Sequence, residues 1–284
     1  MSQPALDDVL GLPDHLRDAL WRVESARIAP VEAGGVMLCG GDTDRVGCDL
    51  AAAALAGRGD GWPVSRCADP GDVASISGQL MLCASYSGGD EDVLDSLHVA
   101  VSAGARVIAA TTGGQLADRA RELAAPVIGL PGLLSTPRAA TGYVFVAGVE
   151  VAALGGVAPR IADEIEAAAD FLKTSRDELI ERAANLAREL GGSRIEVFGE
   201  GLMAPVARRW RDPIVELSPG PGSVAVFLDD GAGSQNGGPA GNRSPALTGE
   251  GSDVIRVEVK GETPTELGLY GVMLGDLVSL ELAG

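Results

Sequence analysis

Aromatic residues make up just 4% of this 284-residue chain, so a core has to be assembled mainly from Ala, Val, Leu and Ile. Histidine is rarer still, with His15 and His98 the two present. The four cysteines, Cys39, Cys48, Cys67 and Cys83, form no C-x-x-C pair, and no histidines cluster near them. Zinc ligation is therefore poorly supported, and no metal or cofactor is expected. No run approaches 18 apolar residues and the first residues carry no basic-then-apolar signal, so a reduced, cytoplasmic protein is expected. Neither a G-x-G-x-x-G nor a Walker pattern occurs, which makes dinucleotides and nucleoside triphosphates poor candidates. Basic residues are outnumbered, 22 Lys and Arg against 40 Asp and Glu, for a formal charge of -18. Nucleic acid needs a basic footprint to replace counterions, and anionic membranes attract basic segments, so neither is an expected partner.

What the sequence does contain is a succession of short apolar runs and Gly- or Ser-rich turns. Leu6 to Ser25 has helical periodicity. Gly35 to Cys39 reads as a strand ending in Gly40-Gly41-Asp42, and Asp49 to Ala56 is rich in helix formers. Gln79 to Ala84 is strand-like, Ser85-Tyr86-Ser87-Gly88-Gly89 follows, and Glu91 to Ala103 is helical with Gly104 as its stop. Arg106 to Ala110 is a strand closed by Thr111-Thr112-Gly113-Gly114, with a helix over Gln115 to Ala124 and a strand over Val127 to Leu130. Strands alternating with helices through short connections predict a parallel sheet with right-handed crossovers.

Pro137 to Gly155 is small and apolar and suits a buried helix. Pro159 to Leu190 predicts two amphipathic helices broken near Thr174-Ser175, where Ser175 and Glu178 match a capping box. Arg194 to Phe198 is a strand, Val206 to Trp210 helical, Val224 to Leu228 and Val254 to Val259 strands, and Leu267 to Leu282 a final helix. Residues 231–251 are dominated by Gly, Ser, Asn and Pro and read as a mobile loop. The expectation is an α/β protein of two domains: residues 1–155 with the N-terminal helix, and residues 156–284 with linker helices and a second, smaller α/β unit.

A parallel sheet presents ligands at the carboxyl ends of its strands. Gly40-Gly41-Asp42, Ser85 to Asp90 and Thr111 to Gly114 all fall there. Hydroxyls and backbone N–H groups at a helix start suit a phosphate monoester, with Ser85 and Ser87 as donors and Gly88 and Gly89 allowing close approach. The plainer alternative is a strand-to-helix corner in which Asp90 caps the following helix.

These segments carry a more specific signal. Ser85-Tyr86-Ser87-Gly88, Ala109-Ala110-Thr111-Thr112-Gly113-Gly114-Gln115-Leu116-Ala117, and Leu130-Pro131-Gly132 with Pro137-Arg138-Ala139-Ala140-Thr141-Gly142-Tyr143 resemble the bifunctional phosphoglucose/phosphomannose isomerase family. Val206 to Trp210 and Leu274 to Ser279 extend the resemblance more weakly. It implies two sugar isomerase (SIS) domains of three-layer αβα type with parallel sheets, the second smaller and degenerate. It further implies a sugar phosphate or other carbohydrate derivative as ligand, aldose–ketose isomerisation as the ancestral activity, and a homodimer. By resemblance, Glu216 falls at the catalytic base and Arg138 at the ring-opening and charge-stabilising arginine. Gly40, Gly41, Asp42, Ser85, Ser87, Asp90 and Thr112 fall in the substrate-binding turns.

The sequence also departs from that pattern. Asp42 stands for a serine and Asp90 for a threonine in the phosphate turns, and no histidine lies in Ser223 to Gly238, where the family places one for ring opening. Two unit charges about 4–6 Å from a dianion repel it by several kcal/mol at an effective dielectric of ~20. Hydroxyl hydrogen bonds to a charged group return roughly 1–3 kcal/mol each. The expectation is a carbohydrate-derivative-binding homologue whose isomerase activity is weak or lost. The alternatives are a working isomerase with Glu216 as base, and a non-catalytic regulatory or assembly protein. Asp42, Asp44 and Asp90 are the set whose oxygens would have to converge for a cation to bind against that metal-free expectation.

Overall fold

Alternation of side chains along the strands organises the larger part of the chain. In the computed structural model, which describes residues 3–59, 64–67, 78–217, 222–231 and 253–284, strands β1 (Val36–Gly40), β2 (Val64–Arg66), β3 (Leu80–Ala84), β4 (Arg106–Thr111) and β5 (Val127–Gly129) form one parallel sheet. Its order is β2-β1-β3-β4-β5. The register aligns Met37 with Met81 and Cys39 with Cys83 across β1 and β3, and Met81 with Val107 and Cys83 with Ala109 across β3 and β4.

Because strand side chains alternate faces, these residues share one side. There they join a core with Val93, Leu97 and Ala100 of helix α4 (Glu91–Ser102) and Leu116 and Ala120 of α5 (Gly114–Glu122). Leu38, Val36 and Leu80 point to the opposite face. There they meet α6 (Thr141–Leu154) and its C-cap Gly155: a Cβ on Gly155 would lie 2.8 Å from Val36, and one on Gly148 would lie 2.8 Å from Ala51. Helices α3 (Arg45–Ala54) and α2 (Leu12–Ser25) also pack on α6. The arrangement is helix, sheet, helix. Helix α6 is buried on every side from Thr141 to Ala152, as its largely apolar sequence requires, and its one charged residue, Glu150, is paired with Arg160 (3.0 Å).

The second sheet is smaller, with β6 (Ser193–Phe198), β7 (Gly222–Asp229) and β8 (Asp253–Glu258) parallel in the order β6-β7-β8. Helix α9 (Met203–Leu217) packs on β6 and β7, and α10 (Pro264–Ala283) packs on α9 and α8 (Arg176–Leu190). Trp210 of α9 is fully buried and donates its indole N–H to the Gly271 carbonyl of α10 (2.8 Å). Its ring fills the space in which residue 275 has no side chain.

The compact units are Gly11–Ala169, and Met1–Leu10 together with Asp170–Gly284, against the expected 1–155 and 156–284. The division falls inside α7 (Ala162–Thr174).

Several local expectations are corrected. The N-terminal helix is two helices, α1 (Gln3–Leu10) and α2, because Gly11 interrupts the run and Pro13 restarts it in the first turn, where a missing N–H costs nothing. Helix α3 begins four residues before Asp49. The break before α8 lies where expected, but Ser175 makes no side-chain capping bond. Strand β2 escaped the sequence reading: three residues carry too little periodicity, and its place is fixed by pairing with β1. The expected loop at residues 231–251 lies outside the described residues except for Gly231. Among the described residues, no helix is long and apolar enough to cross a membrane.

Candidate functional site

The carboxyl ends of β1, β3, β4 and β5 are tied together by backbone bonds that prolong the ladder. Gly41 N–H donates to the Ala84 carbonyl (3.1 Å), Ser85 N–H to Ala110 (3.0 Å), and Leu130 N–H to Thr111 (2.9 Å). This brings Gly40, Gly41, Asp42, Ser85, Ser87, Asp90 and Thr112 to one rim.

The turns after β3 and β4 interlock. Gly88 has φ +69°, and a Cβ on it would lie 2.0 Å from the Gly113 carbonyl oxygen. Gly88 is therefore demanded twice, by backbone conformation and by space. From the other side, Thr112 donates both its N–H (3.1 Å) and its hydroxyl (2.8 Å) to the Tyr86 carbonyl. Leu116 N–H closes the contact on the Gly88 carbonyl (2.8 Å).

The serines serve this turn internally. Ser85 is buried, and its Oγ accepts the Gly88 N–H (3.1 Å). Exposed Ser87 accepts the Gly89 N–H (3.2 Å). Both hydroxyl oxygens thus act as acceptors toward the glycine amides expected to face a ligand, and each hydroxyl retains its proton for donation.

Three carboxylates stand around the turn in different roles. Asp90, in extended conformation, is the N-cap of α4, accepting from Val93 N–H (3.4 Å). Its other oxygen lies against Gly41, 2.0 Å from where a Cβ at that position would be. Asp42 is exposed. Asp44, at the N-cap position of α3, makes no capping bond there and is 3% exposed. Its Oδ2 accepts the Tyr86 N–H at 2.7 Å. Sequence reasoning considered Asp44 solely as a potential metal ligand. Its partner lies 42 residues away, and the sole local signal is an aspartate just before a helix. Among the described residues, no group of three or more His, Cys, Asp or Glu is arranged to hold a metal ion, so the three aspartates do not form the oxygen site considered above.

Arg138 sits in the 3₁₀ turn Pro137–Ala140 that leads into α6, half-buried, with its carbonyl accepting the Thr141 hydroxyl (2.9 Å). A Cβ on Gly47, in the first turn of α3, would lie 2.9 Å from the Thr141 carbonyl oxygen, so the start of α6, with Arg138 just before it, lies beside the start of α3. Glu216 belongs to α9 in the other compact unit, and its side chain is outside the described residues. The two histidines are elsewhere. His15 packs its ring on Tyr143, 5.3 Å between centroids. Exposed His98 lines a groove between α4 and α5 with Asp95, Gln115 and Arg119.

With this geometry in place, comparisons with known proteins become informative. A bifunctional phosphoglucose/phosphomannose isomerase of Caldicellulosiruptor bescii is 32% identical over 158 residues, 53% of this chain and 46% of that protein. One from Aquifex aeolicus is 30% identical over 148 residues, 52% of this chain and 44% of the relative. Over about half its length, the chain is a homologue of these isomerases. It spans about half the length of the curated relatives it matches. The likeness in fold extends further: tagatose-6-phosphate ketose/aldose isomerase from Escherichia coli superimposes with a TM-score of 0.68 at 14% identity, covering 99% of this chain and 92% of that one. No protein-family model matches the chain. The fold is thus that of the SIS phosphosugar isomerases, as the resemblance in the turns implied.

Proposed function

We propose that this SIS-type protein binds a carbohydrate derivative at the rim formed by β1, β3 and β4, and that its aldose–ketose isomerase activity is weak or lost. The observation that carries this reading is the set of carboxylates built into the rim, with Asp44 on the Tyr86 amide and Asp90 against Gly41. A sugar phosphate anchored there would face repulsion of roughly 3 kcal/mol per pair of unit charges at about 5 Å and an effective dielectric of 20. The interlocked turns, in contrast, form a stiff, hydroxyl-bearing ledge that suits sugar hydroxyls. Glu216 and Arg138 are the proposed base and charge stabiliser for any residual isomerisation. A homodimer and a cytoplasmic location belong to the same reading.

The named activity of the relatives favours a second reading, a working phosphoglucose/phosphomannose isomerase with Glu216 as base. Turnover of fructose 6-phosphate to glucose or mannose 6-phosphate by the purified full chain separates the two. The expected rate is at least 100-fold below that of a bifunctional relative assayed in parallel. A rate within tenfold of the relative, abolished by Glu216→Gln, would establish the second reading instead.

A further inference from the structure

We infer that Asp44 sets the ligand class of this rim, acting as a built-in anion that excludes phosphate and leaves the site to an unphosphorylated sugar. The inference rests on the reading that the rim is the ligand site, and deepens it.

An oxyanion at the carboxyl end of a parallel sheet is held mainly by backbone N–H groups of the turns that open the helices. In this turn three of those donors are already engaged. The Tyr86 N–H is held by Asp44 at 2.7 Å, the Gly88 N–H by Ser85 Oγ at 3.1 Å, and the Gly89 N–H by Ser87 Oγ at 3.2 Å. Both serine contacts are neutral: the Ser87 contact yields by rotation of its hydroxyl, and the Gly88 N–H is shared between Ser85 Oγ and the Ser85 carbonyl (3.1 Å). The Asp44 contact differs in kind. It is a short, charge-assisted bond from a side chain 3% exposed, and its carboxylate places a full negative charge at the amide a phosphate would need. Displacing it would take the Tyr86 N–H from a buried carboxylate and set that carboxylate beside a dianion.

Asp42 and Asp90 extend the same logic outward. Exposed Asp42 and half-buried Asp90 flank Gly41, and carboxylates accept hydrogen bonds from paired sugar hydroxyls without charge conflict. The rim therefore presents acceptors for hydroxyl donors. A phosphate would find carboxylates where it needs donors.

The test is binding to the full chain by calorimetry, using fructose, fructose 6-phosphate and inorganic phosphate, with wild type and Asp44→Asn. Asparagine keeps an oxygen for the Tyr86 N–H and removes the charge. Expected for wild type is fructose bound at least tenfold more tightly than fructose 6-phosphate. In Asp44→Asn, affinity for fructose 6-phosphate rises at least tenfold while that for fructose changes by less than threefold. The Tyr86 amide resonance, followed by NMR, moves on adding phosphate in the variant and stays in wild type. Fructose 6-phosphate binding more tightly than fructose in wild type overturns the inference even if the variant fails to fold, and leaves the sugar-binding reading standing. An unchanged preference in a folded Asp44→Asn also overturns it. Binding of none of the three by wild type or folded variant overturns the reading of the rim as a ligand site, and this inference with it.

Discussion

The Asp90 carboxylate occupies the space beside Gly41 that a side chain there would need, 2.0 Å from the position of a Cβ. The helix cap of α4 and the glycine at the end of β1 are therefore one packing unit, although 49 residues separate them.

Gly41→Ala is expected to destabilise the protein by about 1–3 kcal/mol through overpacking. Asp90→Ala alone is expected to cost about 1 kcal/mol as a lost cap. In Gly41→Ala/Asp90→Ala the clash is relieved, so the double variant should be more stable than the sum of the single losses predicts. Urea unfolding of the four proteins measures the coupling, and strict additivity would contradict the contact.

Arg209 is 3% exposed and holds Asp276 through two bonds of 2.9 and 2.8 Å, tying α9 to α10. Arg209→Met is expected to cost roughly 3–5 kcal/mol, because it strands the partly buried carboxylate. Arg209→Met/Asp276→Leu should recover most of that loss, since an apolar pair needs no compensating charge. Denaturant midpoints of the single and double variants decide it.

All four cysteines are buried thiols outside any disulfide. The Cys39 thiol is pushed up from its ordinary value by its hydrogen bond with Cys67 and by burial. Burial pushes Cys83 up to about 12, and raises Cys48 together with the carboxylates of Asp44 and Asp49. The thiolate is the reactive species, so Ellman's reagent at pH 8 should find almost no thiol in the native protein and four in denaturant. Rapid native reaction of even one would contradict the packing.

Glu178 accepts from Lys260 (2.7 Å) and from the Tyr270 hydroxyl (3.2 Å). The Lys260 bond first, and then the Tyr270 bond, hold its carboxyl below the usual 4.5 against the opposing effect of burial. A carboxylate with a lowered folded-state value contributes stability that is present above its unfolded value and lost as pH falls through the folded one. Glu178→Gln should therefore lower the melting temperature modestly at pH 7, with the difference from wild type shrinking below about pH 4. A gap that is constant with pH would show that the charge contributes nothing.

Local chemistry made much of the fold legible. Strands β1, β3, β4 and β5 are short apolar runs ended by Gly or Ser turns, and α4 carries its start at Asp90 and its stop at Gly104. The buried helix α6 announces itself by its small, largely apolar run from Pro137 to Gly155. Less legible were the short edge strand β2 and the kink at Gly11, where too few residues carry a period. At the rim, the turn residues were identifiable, but their hydrogen-bond roles were not. Ser85 and Ser87 read as donors to a ligand, and nothing in the local sequence signals that their oxygens also accept from the turn's own amides.

By itself the sequence determined the alternation of strands and helices, the parallel sheet it forces, the Ser/Gly composition of the Ser85–Gly89 turn and the strongly acidic balance of the chain. These follow from periodicity, turn chemistry and composition, which act over a few residues or over the chain as a whole. The tertiary structure alone decided that Asp44 takes the Tyr86 amide, that Asp90 fills the space at Gly41, and that Gly88 fits against Gly113. Each joins residues more than 20 positions apart, and each depends on which atoms the sheet register brings within hydrogen-bond or van der Waals distance.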